Sequence, residues 1–474
     1  MPAVNKRLRR CHLLGLLLLP LALSCAPVAY RARPIAPSAT AAALAQRRLT
    51  APGLERFLEA NKAHVRGWPP ATWDLNRLVL AAWYFNPVMA VARAQAQVAD
   101  AAVITAGARP NPTVTLAPGI PGPYLFDLSF SVPLETAGRR ADRIVQARAL
   151  STAARLQIGE TAWQVRSAVR TALLDYLLAV RRRALLDAEA HVQARLATRL
   201  AGRVAAGEDA RPIADAARVA LLTQQVAVGA ADEQVAAGRA AVAAAIGVPA
   251  VALRHLTLTW PDLGRPPAAG DVAPRVIQRD AVLNRLDVRR RLAEYAAADA
   301  ALRLEIARQY PDVHLGPGYQ FEEGHNYFTV GLSISLPIFN RNQGPIAEAA
   351  ARRRAAAARL LATQAHVIAE SETALARYRA ARAELRQAQT ALDEIQQVTE
   401  PAARQAVAVG ETDRLPLDRL SLQALQARLV RLGALTRVEM ALGQLENAVQ
   451  CPLERGHTVE SPGAPPGPRR QETP

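Results

Sequence analysis

The sequence predicts a mainly α-helical chain with a small β part, built from a helix-strand-strand-helix unit that occurs twice. Three observations lead there. Half of the 474 residues are apolar but only 4% are aromatic, and much of the apolar count is alanine, which suits closely packed helices better than a sheet-dominated core. Residues 141–204 hold no proline and no glycines besides Gly159 and Gly202, enough for a helix of about 90 Å. One order of signals also recurs at an offset of about 200 residues, far beyond the period of solenoid repeats, so the chain reads as a duplicated domain.

In the first half the signals are Asn86-Pro87, Arg109-Pro110-Asn111-Pro112, Leu128-Ser129-Phe130-Ser131-Val132-Pro133-Leu134 and Gly138. In the second they are Asn284-Arg285, Arg308-Gln309-Tyr310-Pro311, Leu332-Ser333-Ile334-Ser335-Leu336-Pro337-Ile338 and Gly344. Around both prolines the periodicity switches to two. Phe126, Leu128, Phe130 and Val132 alternate with Asp127, Ser129 and Ser131, while Phe328, Val330, Leu332, Ile334 and Leu336 alternate with Thr329, Gly331, Ser333 and Ser335. Val313, Leu315, Tyr319 and Phe321 do the same against Asp312, His314, Gly318 and Gln320, and residues 113–116 are a shorter counterpart. Each half thus supplies a strand pair of roughly membrane-spanning length with one apolar face.

The candidate lipid-facing residues are Phe126, Leu128, Phe130, Val132, Val330, Leu332 and Ile334. Ordinary hairpins on a soluble core are the alternative. Four strands cannot close a barrel, and an open edge in lipid leaves backbone groups unpaired, so a membrane reading requires several chains to share one barrel. Phe126, Phe130, Tyr319, Phe321, Tyr327 and Phe328 are candidates for interfacial aromatics. Gly316-Pro317-Gly318, inside a strand pair and without a following Lys-Ser/Thr, reads as a kink or bulge and not as a phosphate loop.

In the second long helix Leu361, Ile368 and Leu375 recur every seven residues, and Tyr378, Leu385 and Leu392 resume after a three-residue slip, a coiled-coil seam with a phase shift. Gly207 and Gly410 mark hairpin turns between a descending and a returning helix, with Pro212 and Pro416 restarting the return and Pro401 bending the descent.

The N-terminus carries Lys6, Arg7, Arg9 and Arg10 ahead of an apolar stretch over residues 13–23, a signal peptide over residues 1–24. Its end, Leu21-Ala22-Leu23-Ser24-Cys25, resembles a bacterial lipoprotein cleavage site with Cys25 as the acylated residue. Ordinary cleavage nearby is the alternative. After the signal no apolar run approaches about 18 residues, so any membrane crossing is by strands. The formal charge of +17 alone suggests nucleic acid or anionic membrane, and export removes the nucleic-acid choice. Three cysteines without CxxC spacing exclude a disulfide scaffold and a zinc site. The eight histidines lack metal spacing, and neither Ser nor Cys has a His/Asp pattern. Glu322-Glu323 with His325 reads as a solvated loop tip rather than a metal-entry site. No catalytic residue, metal or cofactor is expected. The expected segments are 1–24 (signal), 25–76 (lipid-anchored and equatorial elements), 77–250 (first repeat), 251–280 (linker and equatorial region), 281–453 (second repeat) and 454–474 (a Pro- and Gly-rich disordered tail).

Signal, duplicated unit and helical hairpins together resemble the TolC family of bacterial outer-membrane efflux proteins. Its specific marks are Ala307-Arg308-Gln309-Tyr310-Pro311 before a strand, residues 332–339 as a strand that ends in Pro337, and Val409-Gly410 at a hairpin. Pro133-Leu134-Glu135-Thr136-Ala137-Gly138-Arg139-Arg140 is similar to the cobalt-zinc-cadmium branch. The resemblance implies a homotrimer whose twelve strands close one barrel in the Gram-negative outer membrane, continued into the periplasm by an α-helical barrel. It implies a passive exit duct of a tripartite efflux system, with tips at Gly207 and Gly410 docking on a periplasmic adaptor and an inner-membrane pump of the resistance-nodulation-division type, and metal ions or small toxic compounds as cargo. A type I protein secretion duct and a non-membrane coiled-coil adaptor or scaffold are the alternatives. Asp413 and Asp418 are the nearest matches to the family's constriction acids, although their spacing differs and Thr412 stands where a gating arginine is expected. Solvated tip residues or helix N-caps are the other role for both.

Overall fold

The computed structural model describes residues 29–63, 67–119, 125–267 and 282–453. The signal, Cys25, the part of the segment 251–280 from residue 268 on, and the tail lie outside them. Residues up to Gln46 form a unit of their own, whose helix α1 (Pro37–Ala45) buries no side chain.

From Arg47 on, the chain runs α2 (Pro52–Ala60), β1 (Thr72–Trp73), α3 (Leu75–Phe85), α4 (Pro87–Gly107), β2 (Thr113–Pro118), β3 (Phe126–Leu134), α5 (Arg139–Ala205), α6 (Arg211–Ile246) and β4 (Thr257–Leu258). It continues with α7 (Leu286–Ala307), β5 (Val313–Glu322), β6 (His325–Ile334), α8 (Gln343–Glu394), α9 (Glu400–Ala408) and α10 (Leu415–Val449). Proline opens α2, α4, α6, α9 and α10 within their first two positions, where its missing N–H costs nothing. The 67 residues of α5 extend about 100 Å.

The duplication appears as two parallel orders. Next to the sheet, α4 packs on α5, α5 on α7 and α7 on α8; toward the far end, α6 packs on α5, α5 on α10 and α10 on α8. The helices thus keep one sequence of neighbours from the first repeat's edge to the second's. The core lies where α2, α3 and the short parallel pair β1-β4 pack against the middle of α5 and the end of α6, around Trp73, Leu78, Leu173 and Ile246. A second cluster joins α8 to α10 through Val367, Tyr378, Val438 and Leu445.

Details of the expected helices shift. In the α8 seam Leu375, Tyr378 and Leu392 are buried, but Leu361 is 65% exposed and Val367 rather than Ile368 takes the core position. Before Pro401 a five-residue π-helix, Ile395–Thr399, separates α8 from α9, because the ring cannot accept an α-helical neighbour at the carbonyl four residues back.

A buried ionic group ties α5 to α10. Arg166 Nη1 donates to Glu446 Oε2 at 3.0 Å, Arg170 Nε lies 3.3 Å from the same oxygen, and Arg170 Nη1 donates to the Glu439 carbonyl at 2.9 Å. Glu446 is fully buried; its other oxygen accepts from Leu453 N at 2.9 Å. The two guanidinium groups lie over the rings of Trp163 and Trp260, and Gly443 leaves them room, since a Cβ there would stand 2.6 Å from Arg170 Nη1. Burial pushes the Glu439 carboxyl above its usual range, against the pull of Arg170. Removing one partner of such a group strands the other charge. Arg170→Met is expected to cost about 3 to 5 kcal/mol in denaturant unfolding, whereas Arg437→Ala, at an exposed pair with Glu384, leaves the midpoint in place.

Candidate pore-forming sheet and helical tip

The four long strands form one antiparallel sheet in the order β2-β3-β5-β6. Side chains opposite each other in register share a face, so the ladder sorts them without ambiguity. Val114 lies opposite Phe130 and Leu116 opposite Leu128; Phe126 faces Phe321, Leu128 faces Tyr319 and Val132 faces Leu315; Leu315 faces Leu332, Pro317 faces Val330 and Val313 faces Ile334. All seven sequence-predicted lipid-facing residues therefore lie on one face, and it is apolar. Its polar exception, Asn326, accepts from the Tyr319 hydroxyl at 2.6 Å, which satisfies both groups at the hairpin end. The other face pairs Thr115 with Ser129, Asp127 with Gln320, His314 with Ser333 and Gly316 with Gly331.

Three expectations change here. Tyr327 points to the polar face, where it meets His325; Phe126, Tyr319 and Phe328 form the aromatic row on the apolar one. β6 ends at Ile334 instead of continuing to Pro337, because β5 begins at Val313 and offers no partner beyond it. Gly316-Pro317-Gly318 is not a bulge: pairing with β3 leaves off at Ser129↔Gly318 and resumes in the same register at Val132↔Leu315, a gap set by the missing proline N–H.

Among the described residues the two outer strands have no neighbour on one side. Every residue of β2 and β6 is exposed, with Phe328 at 85%. Strands of 9 and 10 residues rise about 30 Å, which a tilt of about 40° reduces to the apolar band of an outer-membrane barrel. No helix among the described residues is long and apolar enough to cross a membrane. No group of three or more metal-ligating side chains occurs among them either.

At the far end the turn glycines behave as the sequence indicates: Gly207 and Gly410 have φ of +79° and +77°, a region costly for L side chains. The acids beside them are engaged. Asp413 Oδ1 accepts from Leu415 N at 2.9 Å, capping the first turn of α10, and its Oδ2 accepts from Arg203 Nη1 at 2.8 Å. Asp418, 5% exposed, pairs with Arg199 at 2.8 Å and Arg195 at 3.5 Å. Arg203 also donates to Asp209 at 2.6 Å, and that bond raises the guanidinium pKa further. Arg203 therefore bridges the two hairpins. The three arginines were not singled out from the sequence, although their i, i+4, i+8 spacing on one face of α5 was the available signal.

The outer membrane efflux protein family profile matches residues 277–449, most of the segment expected as the second repeat. The cobalt-zinc-cadmium resistance protein CzcC of Cupriavidus metallidurans is 28% identical over 221 residues, 46% of this chain and 51% of that protein. The match thus spans about half the length of that relative. A membrane protein from Pseudomonas aeruginosa superposes with a TM-score of 0.65 at 18% identity, over 79% of this chain and 92% of that one. The outer membrane protein VceC from Vibrio cholerae does so at 0.63 and 20% identity, over 80% and 97%. Residues 277–449 are thus similar to the outer membrane efflux protein family. The fold of the chain is that of these two membrane proteins.

The tip clasp has a measurable consequence. Asp418→Ala leaves Arg199 and Arg195 without their carboxylate and is expected to cost about 1 to 3 kcal/mol, read as faster limited proteolysis around residues 206–210 and 409–414; an unchanged cleavage rate would mean the pairs hold nothing together.

Proposed function

We propose that the protein is the outer-membrane exit duct of a tripartite efflux system: a homotrimer whose twelve strands close one barrel, continued by a wall of helices. The observation that carries this reading is the coincidence of edges. The sheet is left open at β2 and β6, and the helices are left open at α4 and α6 on the first-repeat side and at α8 on the second, so one threefold closure satisfies both layers. Exposed Ile213, Val219, Leu222 and Val226 on α6 supply an apolar seam for a neighbouring copy's α8.

The duct does no chemistry. Its inner strand face carries Ser, Thr, Gly, His and Asp side chains, so water and solutes pass, while energy comes from an inner-membrane pump of the resistance-nodulation-division type. A periplasmic adaptor docks at the tips around Gly207 and Gly410. The gate is the tip, where Asp413 and Asp418 stand between a cap-and-clasp role in the closed state and a ring of carboxylates favouring cations when the clasp with Arg203 and Arg199 opens. The name of the CzcC relative and the motif over residues 133–140 support cobalt, zinc or cadmium ions as cargo. Acylation at Cys25 adds a lipid anchor.

Two measurements test the reading. The protein is expected to stay with outer membranes through a high-salt wash; release into the soluble fraction would end the proposal. Leu332→Arg is expected to cost about 2 to 4 kcal/mol near the bilayer midplane and to reduce the inserted protein sharply, while Ser333→Arg inserts normally; equal tolerance at the two positions would reverse the assignment of the faces.

A further inference from the structure

The helix side of the sheet has a charge pattern that closure of the ring makes more acute. The strand-helix junctions, residues 105–112, 134–143, 303–312 and 335–343, hold seven arginines and four carboxylates. Three of those carboxylates are already taken: Glu135 by Arg143, Asp312 by Arg139, and Glu305 by Arg308 and Asn342. The fourth, Asp142, sits in the first turn of α5, where it complements the helix terminus. Arg109 and Arg341 are exposed and meet no carboxylate among the described residues. Arg140 spends Nε on the Gly107 carbonyl at 2.7 Å, leaving the outer end of its guanidinium in solvent.

Arg109 precedes β2 and Arg341 follows β6, so they occupy opposite edges of one chain and come together only where β6 of one copy meets β2 of the next. The seam would then set cations against cations. Beyond the end of β6 and before Arg341, the exposed apolar side chains of Leu336, Ile338 and Phe339 follow one another, Phe339 at 95%. Apolar strand, aromatic, then guanidinium is the order of hydrocarbon, interface and phosphate across a lipid monolayer. At the opposite end of the sheet the β5-β6 turn carries Glu322 and Glu323, and residues 118–126 carry no charge at all.

We propose that each seam between copies binds an anionic phospholipid of the periplasm-facing leaflet, its phosphate held between Arg341 of one copy and Arg109 with Arg140 of the next, and its acyl chains against Leu336, Ile338 and Phe339. The site rests on the trimeric barrel proposed above. Bound lipid cancels the repulsion that closure creates, so it stabilises the ring selectively.

The test is the temperature at which the full-length trimer comes apart in a neutral detergent, with phosphatidylglycerol, phosphatidylcholine or inorganic phosphate added. Phosphatidylglycerol is expected to raise it, and the other two to leave it unchanged. Arg109→Gln/Arg341→Gln is expected to form a trimer that comes apart at a higher temperature than lipid-free wild type and to lose about thirtyfold in affinity for phosphatidylglycerol, the factor for two arginines at about 1 kcal/mol each. An equal rise with inorganic phosphate would overturn the lipid assignment. So would no rise with phosphatidylglycerol, or a double variant that comes apart more readily than wild type without lipid, which would make the arginines direct contacts between copies. If no trimer forms in any condition, it is the duct reading that fails.

Discussion

Unpaired backbone at the two edges of a four-stranded sheet is the constraint on which the rest of this structure depends. In water an exposed edge is tolerated; in hydrocarbon each unsatisfied N–H or C=O costs several kcal/mol. The apolar face that runs through Val114, Phe130, Leu315 and Leu332 calls for lipid, and the same strands forbid lipid at their edges. The conflict disappears if the sheet closes on copies of itself. The helices obey the same rule in a milder form, since α6 and α8 leave exposed alanine-rich faces that water tolerates but that a neighbour covers better.

The interior of the chain is built to keep those edges in line. The group formed by Arg166, Arg170, Glu439 and Glu446 joins the central helices of the two repeats where the equatorial segment packs. Buried charges of this kind are poor sources of net stability, but their strict partner geometry fixes how α5 and α10 lie against each other. At the tip the pairs from Arg199 and Arg203 to Asp418 and Asp413 are more exposed and weaker. The tip is thus held by weaker, more exposed pairs than the middle.

Much of this was legible in the amino-acid sequence because the signals are local. The period-two alternation at Phe126, Leu128, Phe130 and Val132 fixes the strand faces, and a left-handed backbone at Gly207 and Gly410 is announced by the residue type itself. The turn after α5, the restart at Pro212 and the π-helical break before Pro401 follow in the same way. The parts that were not legible depend on partners distant in the chain. Arg203 and Asp413 are 210 residues apart and Arg166 and Glu446 280, and no periodicity in one helix names its partner in another. Tyr327 shows the limit within a strand: aromatic identity suggested the lipid interface, but register puts it on the polar face. Leu361 likewise fits the seven-residue seam yet is exposed, while Leu360 beside it packs against the α8–α10 cluster.

The idea that one chain's edges are completed by its copies is open to direct measurement. In a Cys451→Ser background, Thr115→Cys on β2 is combined in turn with Thr329→Cys, Gly331→Cys or Ser333→Cys on β6, all on the polar face, and the protein is oxidised in its native membranes and separated without reductant. At the matching register the covalent products are expected to stop at three linked copies. Monomers alone at every register, or a ladder that continues past three, would contradict a closed ring of three chains.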